Sequence, residues 1–216
     1  MLAALMRSLF RRSARLPPLP VDGIRRLHLG CGTDIRQNWV NLDARKLPGV
    51  DVVADLDDCR VTPLPFPGDS IDEFLGSHIL EHLRDPLACM QELHRIAKPN
   101  ATAVFHVPYG SSDDADEDPT HVRRFFLHSF YYFSQLGYTH ADYGYRGDWE
   151  TVSIVLTVDA ARHAGKGYEQ LSEEIRSQRN VVREMIATLR AIKPARVPGS
   201  EKPNLMRVEI KHVTDQ

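Results

Sequence analysis

The sequence predicts an α/β fold built on a mostly parallel sheet, and three observations predict it. Short apolar runs recur through the first half of the chain, at 25–29, 38–43, 51–56 and 71–78, each bounded by turn residues. Each of these runs has glycine, an acid or a small polar residue at or beside its end (Gly30, Asp43, Asp55, Gly76-Ser77), so polar chemistry gathers at the ends of apolar segments. Helical spacing appears after them, where Leu87, Met90, Leu93 and Ile96 or Ala97 fall on one face behind the start signal Asp85-Pro86. At 216 residues with 42% hydrophobic content, the chain is long enough for one such domain with a full core and too short for two.

The first run, Leu27 to Leu29, stops at Gly30-Cys31-Gly32, where missing side chains let backbone approach a ligand. A dinucleotide fingerprint needs a third glycine three places after Gly32. Ile35 stands there, which argues against NAD. The second run ends on Asp43, a carboxylate able to accept both hydroxyls of a ribose. The third ends on Asp55-Leu56, an acid for an exocyclic amino group and an apolar side chain for a flat face. The fourth ends Gly76-Ser77-His78 and leads into Ile79-Leu80-Glu81-His82.

With these four segments in order, the chain resembles the class I S-adenosylmethionine-dependent methyltransferases, in particular small predicted members with a Leu-Gly-Cys-Gly first motif and a Ser-His-x-Leu-Glu-His motif at the fourth strand. The resemblance runs from Arg25 to Phe133. It implies a Rossmann-like, doubly wound sheet of seven strands, mostly parallel with an antiparallel last strand, and S-adenosyl-L-methionine as cofactor. On that basis Gly30 and Gly32 border the methionine part, Asp43 holds the ribose, Asp55 and Leu56 face the adenine, and Ser77 and His78 line the cofactor and open on the acceptor side. One departure stands out: Thr33 to Asn38 is too short for the full helix that most members place between the first two strands.

The stretch after the fifth strand, Pro119-Thr120-His121-Val122-Arg123-Arg124-Phe125-Phe126, combines a base, guanidinium groups and aromatic walls, and resembles the substrate-side loop of the same group. His121 and His82 are therefore the expected catalytic residues, taking a proton from an oxygen or nitrogen acceptor. Arg123 and Arg124 suggest an anionic small molecule or glycan as that acceptor.

A formal net charge of -2 gives no basic face for nucleic acid, and none is expected as partner. Three cysteines, Cys31, Cys59 and Cys89, without paired spacing suit a reducing, cytoplasmic setting. Residues 1–20 form a separate basic arm, with Arg7, Arg11, Arg12 and Arg15 beside Leu2, Leu5, Met6, Leu9 and Phe10 at helical spacing. It is compatible with contact to an anionic membrane surface through residues 1–16, or with packing over its own domain. Residues 21–216 form the methyltransferase domain, with a sixth strand at 149–158, a helical insertion at about 160–193 that could pair with a second copy, and a seventh strand at 205–213.

Two other functions compete. His78-x-x-Glu81-His82 fits the pattern of a zinc peptidase family, with Glu150 a formal third ligand. That family puts its motif inside a long helix, whereas Gly76-Ser77 marks a strand end, so no metal site is expected. The other alternative is a cofactor-binding but inactive partner subunit.

Overall fold

The computed structural model describes residues 22–138, 142–200 and 205–214. The basic arm at 1–20 lies outside the described residues. Eight strands form one sheet: β1 (Arg26–Leu29), β2 (Val40–Asp43), β3 (Val52–Val53), β4 (Ile71–Ser77), β5 (Ala97–Pro108), β6 (Trp149–Asp159), β7 (Val182–Ala191) and β8 (Arg207–Val213). Their order is β3-β2-β1-β4-β5-β7-β6-β8. β1 to β5 pair in parallel, β7 runs antiparallel to both β5 and β6, and β8 lies parallel to β6 at the edge.

This is the mostly parallel sheet the sequence predicts, with two corrections. The described residues hold eight strands rather than seven, and the antiparallel strand is β7, not the last one. Residues 182–191 had been expected to belong to a helical insertion. Within 160–193 the helix is confined to Tyr168–Ser177. Val182, Met185, Ile186 and Leu189 satisfy helical spacing, yet the buried residues Met185, Ala187, Leu189 and Ala191 alternate as a strand requires.

The parallel register explains why chemistry collects at one edge. Leu27 stands opposite Val40, Leu29 opposite both Leu42 and Gly76, and Asp43 opposite Val53. Residues 30, 43, 54–55 and 77–78 therefore emerge together at the carboxyl ends of β1 to β4, where ligands bind in open α/β sheets.

Helix α1 (Pro86–Ile96) supports that edge. The Asp85 side chain caps it by accepting the N–H of Ala88 at 3.1 Å, and Pro86 fixes its first turn. Met90, Leu93 and Ile96 are fully buried, each burial stabilising by about 1.5–3 kcal/mol. Trp149, also fully buried, donates its indole N–H to Met90 O at 2.9 Å and meets Phe74 edge to face, tying β6 to α1 and β4. Pro63, Pro65 and Pro67 keep the connector before β4 extended, and buried Leu64 and Phe66 anchor it. No helix occupies 33–39, in line with the shortness of that segment. The aromatic run forms a 3-10 turn, Ser129–Phe133, that buries Phe130 and Phe133.

Candidate functional site

The glycine loop after β1 has the shape a ligand cradle needs. Gly30 and Gly32 both adopt the left-handed backbone region, at φ 60° and 50°, which side-chain-bearing residues rarely enter. Their surroundings differ. A Cβ on Gly30 would come within 2.7 Å of the Ile79 side chain, whereas a Cβ on Gly32 would meet nothing within 4 Å. Gly30 makes room for the chain leaving β4; Gly32 fronts open space. Between them Cys31 is buried, and burial, with the Asp43 carboxylate beside it, raises its thiol pKa, the opposite of an activated nucleophile.

Asp43 holds this loop in place. Its Oδ2 accepts the Gly32 N–H and its Oδ1 the Arg45 N–H, both at 2.8 Å. Each oxygen keeps further acceptor capacity. Asp55 is exposed and accepts the N–H of Asp57 at 2.9 Å. Leu56 differs from expectation: it is 4% exposed and packs into the core, since the turn at Leu56–Asp58 points it inward, and it offers no open face.

At the end of β4 the chain turns sharply. His78 sits at φ 51°, and a Cβ on Gly76 would press into the Phe105 ring at 2.8 Å. The His78 ring bridges two carboxylates, with Nε2 at 3.1 Å from Glu184 and Nδ1 at 3.2 Å from Glu81. Glu184 also accepts from His106 Nδ1 at 3.2 Å. These contacts, the Glu184 bond foremost, lift the His78 pKa to about 10. Burial pushes Glu184 upward, but the two histidines outweigh it and hold its carboxyl at about 2. His106 and Glu184 had escaped the sequence reading; strand alternation through 182–191 was the available signal.

His82 and His121, the expected catalytic pair, do come together. Their rings meet edge to face with centroids 4.7 Å apart. The loop carrying His121 is docked by the Val122 and Arg123 N–H groups, which both donate to Glu81 O. Arg123 donates to the carbonyls of Leu83 and Arg84, and Arg124 pairs with Asp116. Both guanidinium groups thus fasten the loop, and neither supports an anion-binding role.

The zinc-peptidase arrangement does not form. His78 and Glu81 lie in a strand-end turn and the single 3-10 turn Leu80–His82, not a long helix. Glu150 lies at the start of β6, which runs parallel to β4, and is therefore at the opposite edge of the sheet, paired with Arg190 and Arg196.

An open cavity of about 700 Å³ lies against Leu156 of β6 and Val208 and Ile210 of β8, flanked by Phe126, Tyr132 and Tyr168. Tyr109, next to the end of β5, also lines it.

Comparison with known proteins agrees with this geometry. Residues 24–105 match the family model described as a methyltransferase domain. No curated protein matches the chain. An S-adenosylmethionine-dependent methyltransferase from Archaeoglobus fulgidus superposes with a TM-score of 0.52 at 15% identity, covering 88% of this chain and 92% of that one. A methyltransferase from Bacillus halodurans, itself described only as putative, gives 0.52 at 12% identity over 89% and 99%. The [4+2]-cyclase SpnF gives 0.50 at 15% identity over 78% and 74%. At these identities the structures attest the fold, and a cyclase among them shows that the fold by itself does not dictate the reaction. Residues 24–105 are thus similar to a methyltransferase domain, and the strand order gives the chain the Rossmann-like fold of the class I S-adenosylmethionine-dependent methyltransferases.

Proposed function

We propose that the chain binds S-adenosyl-L-methionine across the carboxyl ends of β1 to β4 and transfers its methyl group to an oxygen or nitrogen of a small-molecule or glycan acceptor. The observation that carries this reading is the open space in front of Gly32, flanked in register by Asp43, Asp55 and Ser77. When bound, the cofactor supplies an electrophilic methyl on a sulfonium. The protein's contribution is to place the acceptor beside it and remove a proton.

His82 and His121 face one another on the acceptor side and are the groups for that proton. His78, cationic between Glu81 and Glu184, positions the turn rather than accepting protons at neutral pH. The open cavity, with its aromatic walls, suits an acceptor with an apolar body. An anionic acceptor draws no support from Arg123 or Arg124, whose guanidinium groups are engaged.

The test is calorimetric titration of the full chain with S-adenosylhomocysteine. One site per chain is expected for wild type. Gly32→Val, which fills the open space, abolishes binding while the protein still melts cooperatively. No heat with wild type, or equal affinity in Gly32→Val, rejects the reading. Asp55→Ala weakens binding about tenfold if its carboxylate contacts adenine, the loss of one hydrogen bond to a neutral group; unchanged affinity removes Asp55 from the site.

A further inference from the structure

Glu81 presents a problem that methyl transfer does not solve. Its side chain is only 1% exposed, and neither carboxylate oxygen receives a hydrogen bond. The His78 ring touches Oε1 at 3.2 Å as an ion-pair contact outside hydrogen-bonding geometry, and Oε2 has no hydrogen-bond partner. Even beside the His78 cation, a buried carboxylate that receives no hydrogen bond is costly until a further donor or cation completes it.

The two histidines beside it are prepared for that cation. Thr120 Oγ1 donates to Asp118 Oδ1 at 2.6 Å, so toward His82 Nδ1, 3.0 Å away, it acts as acceptor, and Nδ1 carries the proton. His121 Nδ1 lies 3.3 Å from Ala115 O, which can only accept, so that nitrogen is protonated too. Both rings therefore keep the Nε2 lone pair free, with their other nitrogen fixed by an oxygen, the arrangement that orients metal-binding histidines. One donor atom each from Glu81, His82 and His121 lies within 4.8 Å of the other two. Asp118 Oδ2, 3.9 Å from His121 Nε2, is a further oxygen at the rim.

We propose that Glu81, His82 and His121 hold one divalent transition-metal ion beside the end of β4, with coordination positions left open for an acceptor oxygen. Two imidazole nitrogens and one carboxylate are a donor set that zinc accepts with further positions vacant, after the donors draw inward to bonds of about 2.0–2.2 Å. Its use in the reaction rests on the methyl-transfer reading above; the binding itself does not. A hydroxyl coordinated to the ion would give up its proton to solvent water more easily, so His82 and His121 would act through the ion rather than as bases themselves.

The test uses the full chain freed of metal by a chelator and titrated with zinc chloride, with S-adenosylhomocysteine binding measured on the same samples. Wild type takes up one zinc per chain. His82→Ala and His121→Ala each weaken zinc binding by at least tenfold, Thr120→Val, an exposed loop change that removes only the orienting oxygen, weakens it about tenfold, and His212→Ala on the exposed face of β8 leaves it unchanged. Zinc also raises the melting temperature of wild type but not of Glu81→Gln. Less than one zinc per chain, or a loss in His212→Ala equal to that in His121→Ala, overturns the site. Zinc uptake without S-adenosylhomocysteine binding upholds the metal site and rejects the methyl-transfer reading; S-adenosylhomocysteine binding without zinc uptake does the reverse.

Discussion

Gly30 and Gly32 share a motif and a backbone region but answer to different constraints. Alanine at Gly30 combines left-handed strain with a clash against Ile79, costing about 2–4 kcal/mol in all. Alanine at Gly32 adds only the strain, about 1–2 kcal/mol, because open space receives the methyl. Urea denaturation of the two variants should show that order, with ligand affinity falling in Gly32→Ala; equal destabilisation would contradict the distinction. A second residue-scale prediction concerns Asp148, fully buried. Burial disfavours its carboxylate, but the Arg196 guanidinium and the N–H groups of Arg196 and Gln135 prevail and hold its pKa below the ordinary value. A depressed folded pKa means the stabilisation is complete above the unfolded pKa of about 3.9 and disappears as pH falls through the lower, folded value. Asp148→Asn should therefore lose about 3 kcal/mol at pH 7 and show a flatter decline in stability below pH ~4 than wild type. A parallel decline would contradict it. At this scale the sequence was informative where neighbours along the chain set the geometry, as at Gly32, whose left-handed backbone faces open space. It was silent where partners come from distant strands: Glu184 meets His78 across 106 positions of sequence.

Among the elements, β7 shows how a local pattern misleads. The spacing of Val182, Met185, Ile186 and Leu189 suits a helix, and only the β-branched content of 181–192 favours the strand that β5 and β6 impose from both sides. A residue at the centre of a sheet is buried whichever pattern its neighbours follow. Met185→Ala should cost about 2–5 kcal/mol, the range for a buried Met. Amide exchange should find 184–190 among the slowest groups of the chain. A loss below 1 kcal/mol, or exchange as fast as in the 160–167 turn, would contradict the placement. β1, β4, β6 and α1 were legible because each is bounded by its own turn or capping residues. β3, reduced to Val52–Val53, was overestimated as a run over 51–56, because the apolar residues there serve packing without regular pairing.

For the molecule as a whole, parallel register does most of the organising: it brings four loops from residues 30 to 78 to one edge, and the loop at 118–124 closes over the end of β4 by bonding to Glu81 O. The three cysteines are buried and free, as their spacing suggested. Among the described residues no helix is long and apolar enough to cross a membrane, while contact of the basic arm with a membrane surface remains a proposal about residues outside them. The fold followed from motif order because strand ends and turns are local signals. The cavity of about 700 Å³ did not, because its walls come from β6, β8, the helix at 168–177 and the 126–132 segment, each carrying only part of the surface.

The most direct measurement is a crystal structure of the full chain with S-adenosylhomocysteine. The account predicts the nucleoside across the ends of β1 to β4, with its methionine part against Gly32 and its adenosine between Asp43 and Asp55. A ligand bound elsewhere, or crystals grown at saturating concentration that hold none, would contradict it.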